Sequence, residues 1–285
     1  MFRLDRRYMF TGRLALTTAL HVGGGRATLS PSDSPIVRTA DGIPFIPGSS
    51  FKGVFRSSVE RIAGSIPTLH TCALMSGMNC IGADEAERRR FEQRRRQGNW
   101  TDTEYMAQLQ TALCDTCKLF GSHYAGSRLL FSDLHARSGA DAVTQIRDGV
   151  GIDRDSEGAV PQIKYDFEVL EHNIDFDLHL MLENPSDRDL QLTCVGLAEL
   201  MNGFMTLGGK RSRGLGRCIV TDLAVYELDL TDPTTAMTRL RAYLLGGARQ
   251  AATARREDTM TRTPDVAAFL DRQIEGIFRE EDSHA

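Results

Sequence analysis

At 285 residues, with 41% hydrophobic and 25% charged residues, the chain can bury one large core or two small ones and has an ordinary globular composition. No apolar run reaches the length of a membrane span and the opening MFRLDRRYMF lacks a signal-peptide core, so a cytoplasmic protein is expected, whose six cysteines read as metal ligands or core residues rather than disulfides. A net charge of −4 excludes nucleic-acid binding driven by global electrostatics and leaves only local basic clusters and backbone amides for that purpose.

Residues 9–21 alternate, with Phe10, Leu14, Leu16 and Leu20 on one side and Thr11, Arg13, Thr17 and His21 on the other, as in a half-buried strand. It ends at Gly23-Gly24-Gly25, where the backbone can turn sharply and lie close to a ligand. An extended loop over 31–47 leads to Gly48-Ser49-Ser50, whose serines are N-cap candidates. The helix that follows carries Phe51, Val54, Phe55, Val59 and Ile62 on one face and Lys52 and Arg56 on another. Residues 66–118 read as an insertion holding most of the cysteines and a charged helix, Asp84 to Arg96, too polar for a core. There Arg88–Arg90 and Arg94–Arg96 interleave with Glu85, Glu87 and Glu92, the pattern of a solvated, salt-bridged helix.

Arg128–Asp133 reads as a strand, and the polar, Gly-rich stretch 137–168 as an extended hairpin or projecting loop. Ile174–Leu182 is the clearest strand of the chain. A helix with Leu197, Leu200, Met201, Phe204 and Met205 on one stripe precedes a second glycine-rich loop, Gly208–Gly216, and a strand from Cys218 to Leu228. The order strand, helix, strand, strand, helix, strand predicts an α+β fold with a ferredoxin-like (RRM-like) βαββαβ core over 1–230 and a helical C-terminal extension over 231–285. The central strands lack the aromatics on which an RRM stacks bases, so recognition is expected in the loops.

Three groups of residues carry chemistry. The late loop sets Gly209, Lys210, Arg211 and Arg213 together, combining close-approach amides with cations suited to phosphate, although a solvated turn has the same composition. Ser49 and Ser50 at a helix N-terminus, extended by Lys52 and Arg56, form a second anion site; His21 borders the early glycines Gly23 and Gly24 and is a further RNA-contact candidate. Cys114-x-x-Cys117 is half of a zinc site, and His70, Cys72 and Cys80 are three candidates for the other two places, so four of these five residues are expected to hold structural zinc. Cys194 and Cys218, on a helix and a strand, are expected in the core.

Asp33-Ser34-Pro35-Ile36-Val37-Arg38, Gly42–Gly53, Cys117–Ser122, Gly151-Ile152-Asp153-Arg154 and Gly208–Gly216 together resemble the signature of the RAMP superfamily of CRISPR-associated proteins. Among them the chain is most similar to backbone subunits of type III effector complexes, Csm-type more than Cmr-type. The resemblance implies that copies of the chain, with related RAMP subunits, stack along a guide crRNA and meet complementary target RNA and the large and small effector subunits. It implies that the hairpin over about 140–170, with Asp153 and Arg154, is a thumb that wedges into the guide–target duplex. It also implies that Asp33 is the catalytic aspartate for target cleavage with a divalent cation, Mg²⁺ being the natural partner of hard oxygen ligands. From local sequence alone Asp33 reads first as a turn residue before Ser34-Pro35, and it is the resemblance that reverses this. Two alternatives remain: a structural subunit that cuts nothing, and a metal-independent guide-processing RAMP ribonuclease acting through His21.

Overall fold

The computed structural model describes residues 3–24, 32–72, 80–137, 143–172, 174–249 and 259–282. Gly25, residues 73–79 of the expected insertion and 138–142 at the start of the expected thumb fall outside them. The fold is α+β, organised on a five-stranded antiparallel sheet. Its members are β1 (Arg6–Leu16), β3 (Leu129–Phe131), β7 (Asp175–Glu183), β8 (Cys218–Asp229) and β9 (Thr261–Arg262), in the spatial order β3-β7-β1-β8-β9. A short pair, β2 (Phe45–Ile46) with β4 (Leu134–His135), and a separate hairpin, β5 (Thr144–Ile152) with β6 (Ala159–Leu170), complete the strands.

The alternation in β1 and β7 puts Phe10, Leu14, Leu16, Phe176, Leu178, Leu180 and Leu182 on one buried face. Three helices cover that face. From α1 (Gly48–Ala63) come Phe51, Phe55 and Val59; from α5 (Asp187–Met201) come Leu192, Cys194, Leu197 and Leu200. The third, α7 (Val266–Asp282), lies against α5 and adds Leu270 and Ile277 to the same core. The C-terminal segment thus supplies both an edge strand and a core helix, while α6 (Ala236–Arg249) packs beside β8, near Met9, Leu228 and Leu230. Ile62, Met201 and Phe204, expected on core faces, are exposed: α5 ends at Met201, and Ile62 lies in the last turn of α1.

Ser49 and Ser50 do not cap α1. The helix begins earlier, at Gly48, with Pro47 at the N-cap and the Gly48 N–H donating to Asp133 Oδ1 at 2.7 Å. Asp133, on the turn after β3, therefore satisfies one of the N-terminal donors that the helix itself leaves unpaired.

Between α1 and β3 the described residues form α2 (Glu85–Gly98), α3 (Asp102–Ala112) and α4 (Asp115–Phe120), with a small separate core that includes Phe91, Leu109 and the four cysteines. Phe91 is the one buried side chain of α2; the Arg89–Glu85 pair lies in solvent, and exposed Arg90 pairs with half-buried Glu87. Among the described residues no helix is long and apolar enough to cross a membrane.

Candidate functional site

After β1 the chain does not leave the sheet as a single glycine loop. Leu20 bridges to Leu170 on β6, and Gly23 to Ile36, so the early segment is laced to both the hairpin and the Asp33 loop. His21 sits at the centre of this knot. Its Nδ1 lies 2.7 Å from the carbonyl oxygen of Glu168, its Nε2 3.4 Å from Ser34 Oγ, and its ring is buried edge-on against Phe167. Both ring nitrogens are thus engaged inside the protein.

The late loop meets the early one at the same point. The Gly209 N–H donates to the His21 carbonyl at 2.8 Å, and Leu215 joins Ala19, Phe167 and Val169 in a small apolar cluster. Lys210, in the left-handed region at φ 57°, holds its Nζ 4.8 Å from the Tyr165 ring centre and 4.2 Å from that of Phe167. Arg213 donates to the Tyr165 hydroxyl, whereas Arg211 stands exposed. Lys210 and Arg213 therefore grip the base of the hairpin by cation–π and hydrogen-bond contacts while remaining at the surface.

Glu168 ties the Asp33 loop to β6. Its carboxylate accepts from the Ile36 N–H at 3.0 Å and from Arg38, and its own N–H donates to the Ser34 carbonyl at 3.0 Å. Burial works against its ionised form, but the Ile36 N–H, Arg38 and Thr144 outweigh it and hold the carboxyl below its ordinary pKa. Asp33 itself is exposed, facing Asp166 across this junction. The resemblance puts Asp166 and Glu168 in the expected thumb and gives neither a role of its own. The available signal was the spacing Asp166-x-Glu168, which puts two carboxylates on one face of β6, opposite Ile163, Tyr165, Phe167 and Val169.

Asp153 and Arg154 lie at the other end of the hairpin, exposed in the turn between β5 and β6. Asp153 accepts the Asp155 N–H at 2.9 Å, which lowers its pKa and shapes the turn. Gly23 and Gly24 are exposed, with the Gly24 N–H bonded to the Pro35 carbonyl.

At the start of α1, Ser49 and Ser50 are exposed, and Lys52 and Arg56 border a cavity of about 440 Å³ with Gly121, Ser122, His123 and Ser127. Burial, and then the neighbouring Arg56, lower the pKa of Lys52. Arg56 is differently placed: it donates to Glu60 at 2.7 Å, to the Gly121 carbonyl at 3.2 Å and to Cys117 Sγ at 3.7 Å. Its guanidinium is largely spent inside the protein, on the flank of the cysteines.

Of the five expected ligands the structure gathers four. The sulfurs of Cys72, Cys80, Cys114 and Cys117 all lie within 4.8 Å of one another, with Cys72–Cys117 at 3.5 Å and Cys72–Cys114 at 3.4 Å. Tetrahedral zinc with Zn–S of about 2.3 Å places its sulfurs about 3.8 Å apart, so the set fits that ion. The N–H groups of Gly82 and Cys114 both donate to Cys80 Sγ at 3.3 Å, a pattern that stabilises a thiolate. Contacts with the sulfurs of Cys117, Cys72 and Cys80 hold the Cys114 thiol below its ordinary pKa. Gly82 must be small, since a Cβ there would stand 2.6 Å from Cys117 Sγ. His70 is outside the cluster, its imidazole 81% exposed and 3.8 Å from Asp115. Cys194 and Cys218 are core residues, and burial pushes the Cys218 thiol up to about 12.

Over short stretches the chain is similar to proteins described as CRISPR system Cms endoribonuclease Csm3. It is 44% identical over 59 residues to that of Enterococcus italicus, 39% over 61 to that of Methanothermobacter thermautotrophicus and 40% over 63 to that of Methanocaldococcus jannaschii. These stretches are 20–21% of this chain and 25–28% of those proteins, so the chain spans about a quarter of the length of the curated relatives it matches. A model of the RAMP superfamily matches residues 13–219, a span that holds both glycine-rich loops, Asp33, the hairpin and the four cysteines; the chain belongs to the RAMP superfamily.

Proposed function

We propose that the chain is a guide-crRNA-binding backbone subunit of a type III CRISPR ribonucleoprotein that also cleaves bound target RNA. The observation that carries this reading is the junction at His21, where the early glycine segment, the late glycine loop, the Asp33 loop and the hairpin base converge. The sheet order of the four core strands, 2-3-1-4 by their chain order, supports a ferredoxin-like core, and the names of the relatives support both the complex and endoribonuclease activity.

In this reading the guide phosphates lie over the exposed N-terminus of α1 at Ser49 and Ser50, beside Lys52 and the late loop. The β5–β6 hairpin is the thumb, with Asp153 and Arg154 at its tip and Ile146, Val150 and Ile152 exposed along it, apolar surface suited to wedging between bases. Further copies of the chain and related subunits extend along the guide, with large and small effector subunits as partners.

Cleavage of RNA by its own 2′-hydroxyl needs that hydroxyl held in line with the phosphate and charge relief at the non-bridging oxygens. Asp33 is placed to orient the hydroxyl, because one carboxylate oxygen is tied to β6 and the other meets no group among the described residues. Carboxylate oxygens also suit a hard divalent cation such as Mg²⁺, which when bound would supply the charge relief. The four cysteines would hold structural zinc. The metal-independent processing reading is disfavoured by His21, which is buried with both nitrogens engaged and so is poorly placed as a general base.

The test is target cleavage by the complex reconstituted on a guide, with Mg²⁺ and with EDTA. Asp33→Ala should abolish cleavage while leaving guide and target binding intact. Undiminished cleavage by that variant would leave a structural subunit, and cleavage that persists in EDTA would sink the metal dependence.

A further inference from the structure

Strand β6 turns Asp166 and Glu168 to one side, but the two carboxylates have different tasks. That of Glu168 binds the Ile36 N–H and Arg38 and so secures the loop three and five positions downstream of Asp33. Asp166 engages Asp33 directly, and does so reciprocally. Its Oδ1 accepts the Asp33 N–H at 2.7 Å, while its own N–H donates to Asp33 Oδ2 at 3.3 Å. The Ser32 hydroxyl also donates to the Asp166 carboxylate, so two successive loop residues are fastened to it. Ser32 is buried, and its Oγ accepts the Ser34 N–H at 3.2 Å. The Asp33 backbone is thereby fixed on both sides, and its side chain cannot change rotamer without losing the bond from β6.

We propose that Asp166 is a positioning residue for the cleavage reaction, an inference that rests on the reading of Asp33 as the cleaving carboxylate. Asp166 holds both the backbone and the side chain of Asp33, so that Oδ1 is presented to the bound strand. The role belongs to the acceptor oxygen of Asp166 and not to its charge, because the groups it binds are an N–H and a hydroxyl. Without the Asp166 carboxylate the Asp33 backbone and Ser32 are released, and the one remaining bond, from the main-chain N–H of residue 166 to Asp33 Oδ2, no longer fixes where the Asp33 carboxylate stands. A misplacement of about 1 Å at a reacting group is enough to cost about a hundredfold in rate.

The experiment uses the complex reconstituted with guide RNA, measuring single-turnover cleavage at saturating target and, separately, target affinity. Asp166→Ala should slow cleavage by about ten- to a hundredfold with target Kd within about twofold of wild type. Asp166→Asn keeps an oxygen for the Asp33 N–H and the Ser32 hydroxyl, and should cleave within about threefold of wild type. Wild-type cleavage by Asp166→Ala overturns the proposal. So does an Asp166→Asn variant as slow as Asp166→Ala, which would make the charge essential, or loss of target binding in parallel with cleavage. Asp33→Ala run alongside keeps the two ideas apart. If it still cleaves, the reading of Asp33 falls; if it is dead while Asp166→Ala is fast, only the positioning role falls.

Discussion

The Gly209 N–H donates to the carbonyl oxygen of His21 at 2.8 Å, so the two glycine-rich segments, almost two hundred residues apart in sequence, form one structural unit. The residue before it makes this approach possible. Gly208 has φ +72°, and a Cβ at that position would collide with the same carbonyl oxygen. Gly208→Ala should therefore cost about 1–3 kcal/mol through left-handed strain and the clash. Guide affinity is expected to fall with it, because the late loop can no longer close on His21. Thermal unfolding together with a guide-binding titration would test both effects; an alanine variant with wild-type melting temperature and affinity would contradict the junction.

The cysteine cluster predicts metal content residue by residue. Substituting Cys72, Cys80, Cys114 or Cys117 with Ser should abolish stoichiometric zinc, read by elemental analysis of the purified protein, whereas His70→Ala should retain it. The insertion buries only a small apolar cluster of its own, so metal binding and its folding are expected to be coupled. Chelation should consequently reduce helical circular dichroism from α2 and α3. Full zinc in a Cys80→Ser variant would refute the four-thiolate assignment.

Lys52 and Arg56 lie one turn apart on α1 and should give different phenotypes. Among the described residues the Lys52 ammonium has no partner, so Lys52→Ala should weaken guide binding and lower the salt dependence by about one counterion, with little change in stability. Arg56 bonds Glu60, the Gly121 carbonyl and Cys117 Sγ. Its removal leaves Glu60 and the Gly121 carbonyl short of a partner, and Arg56→Ala should cost about 2–4 kcal/mol in stability. Arg56→Lys should not rescue it, since an ammonium cannot reproduce three divergent bonds. Equal losses of affinity and unchanged melting temperatures in both variants would argue against this division.

Glu168 predicts a pH dependence with a definite sign. Its pKa in the folded protein lies below the ordinary value of about 4.3, so its contribution to stability is fully present above that pH. The contribution is lost as pH falls through the lower folded value. Glu168→Gln should thus destabilise the protein at neutral pH by about 1–3 kcal/mol through its bonds to Ile36 and Arg38, and the gap to wild type should narrow under acid conditions. Melting curves of both proteins from neutral to acid pH measure it; a gap that widens on acidification reverses the sign and rejects the explanation.

Much of the fold follows from local pattern. Alternation in β1 and β7, the apolar stripe of α1 and the polar composition of α2 are properties of neighbouring residues, and the structure has strands and helices at those places. The Cys114-x-x-Cys117 spacing likewise marks a metal half-site without any knowledge of the rest of the chain. The choice among His70, Cys72 and Cys80 was not legible, because it depends on how the segment before α4 lies against the loop at Cys80. The cap of α1 was also illegible locally, since its acceptor, Asp133, comes from the turn after β3.

The two glycine-rich loops sharpen the same distinction. Their glycines announce tight backbone in the sequence: Gly208 and Gly216 combine positive φ with close approach to a carbonyl oxygen, and Gly24 lies close against the Ile36 backbone. That the loops close on each other through His21, and that Asp33 is clasped by Asp166 on the hairpin, was decided by tertiary structure alone. The physical reason is that hydrogen bonds between residues 133 to 188 positions apart are set by strand register and sheet order, which no local periodicity encodes.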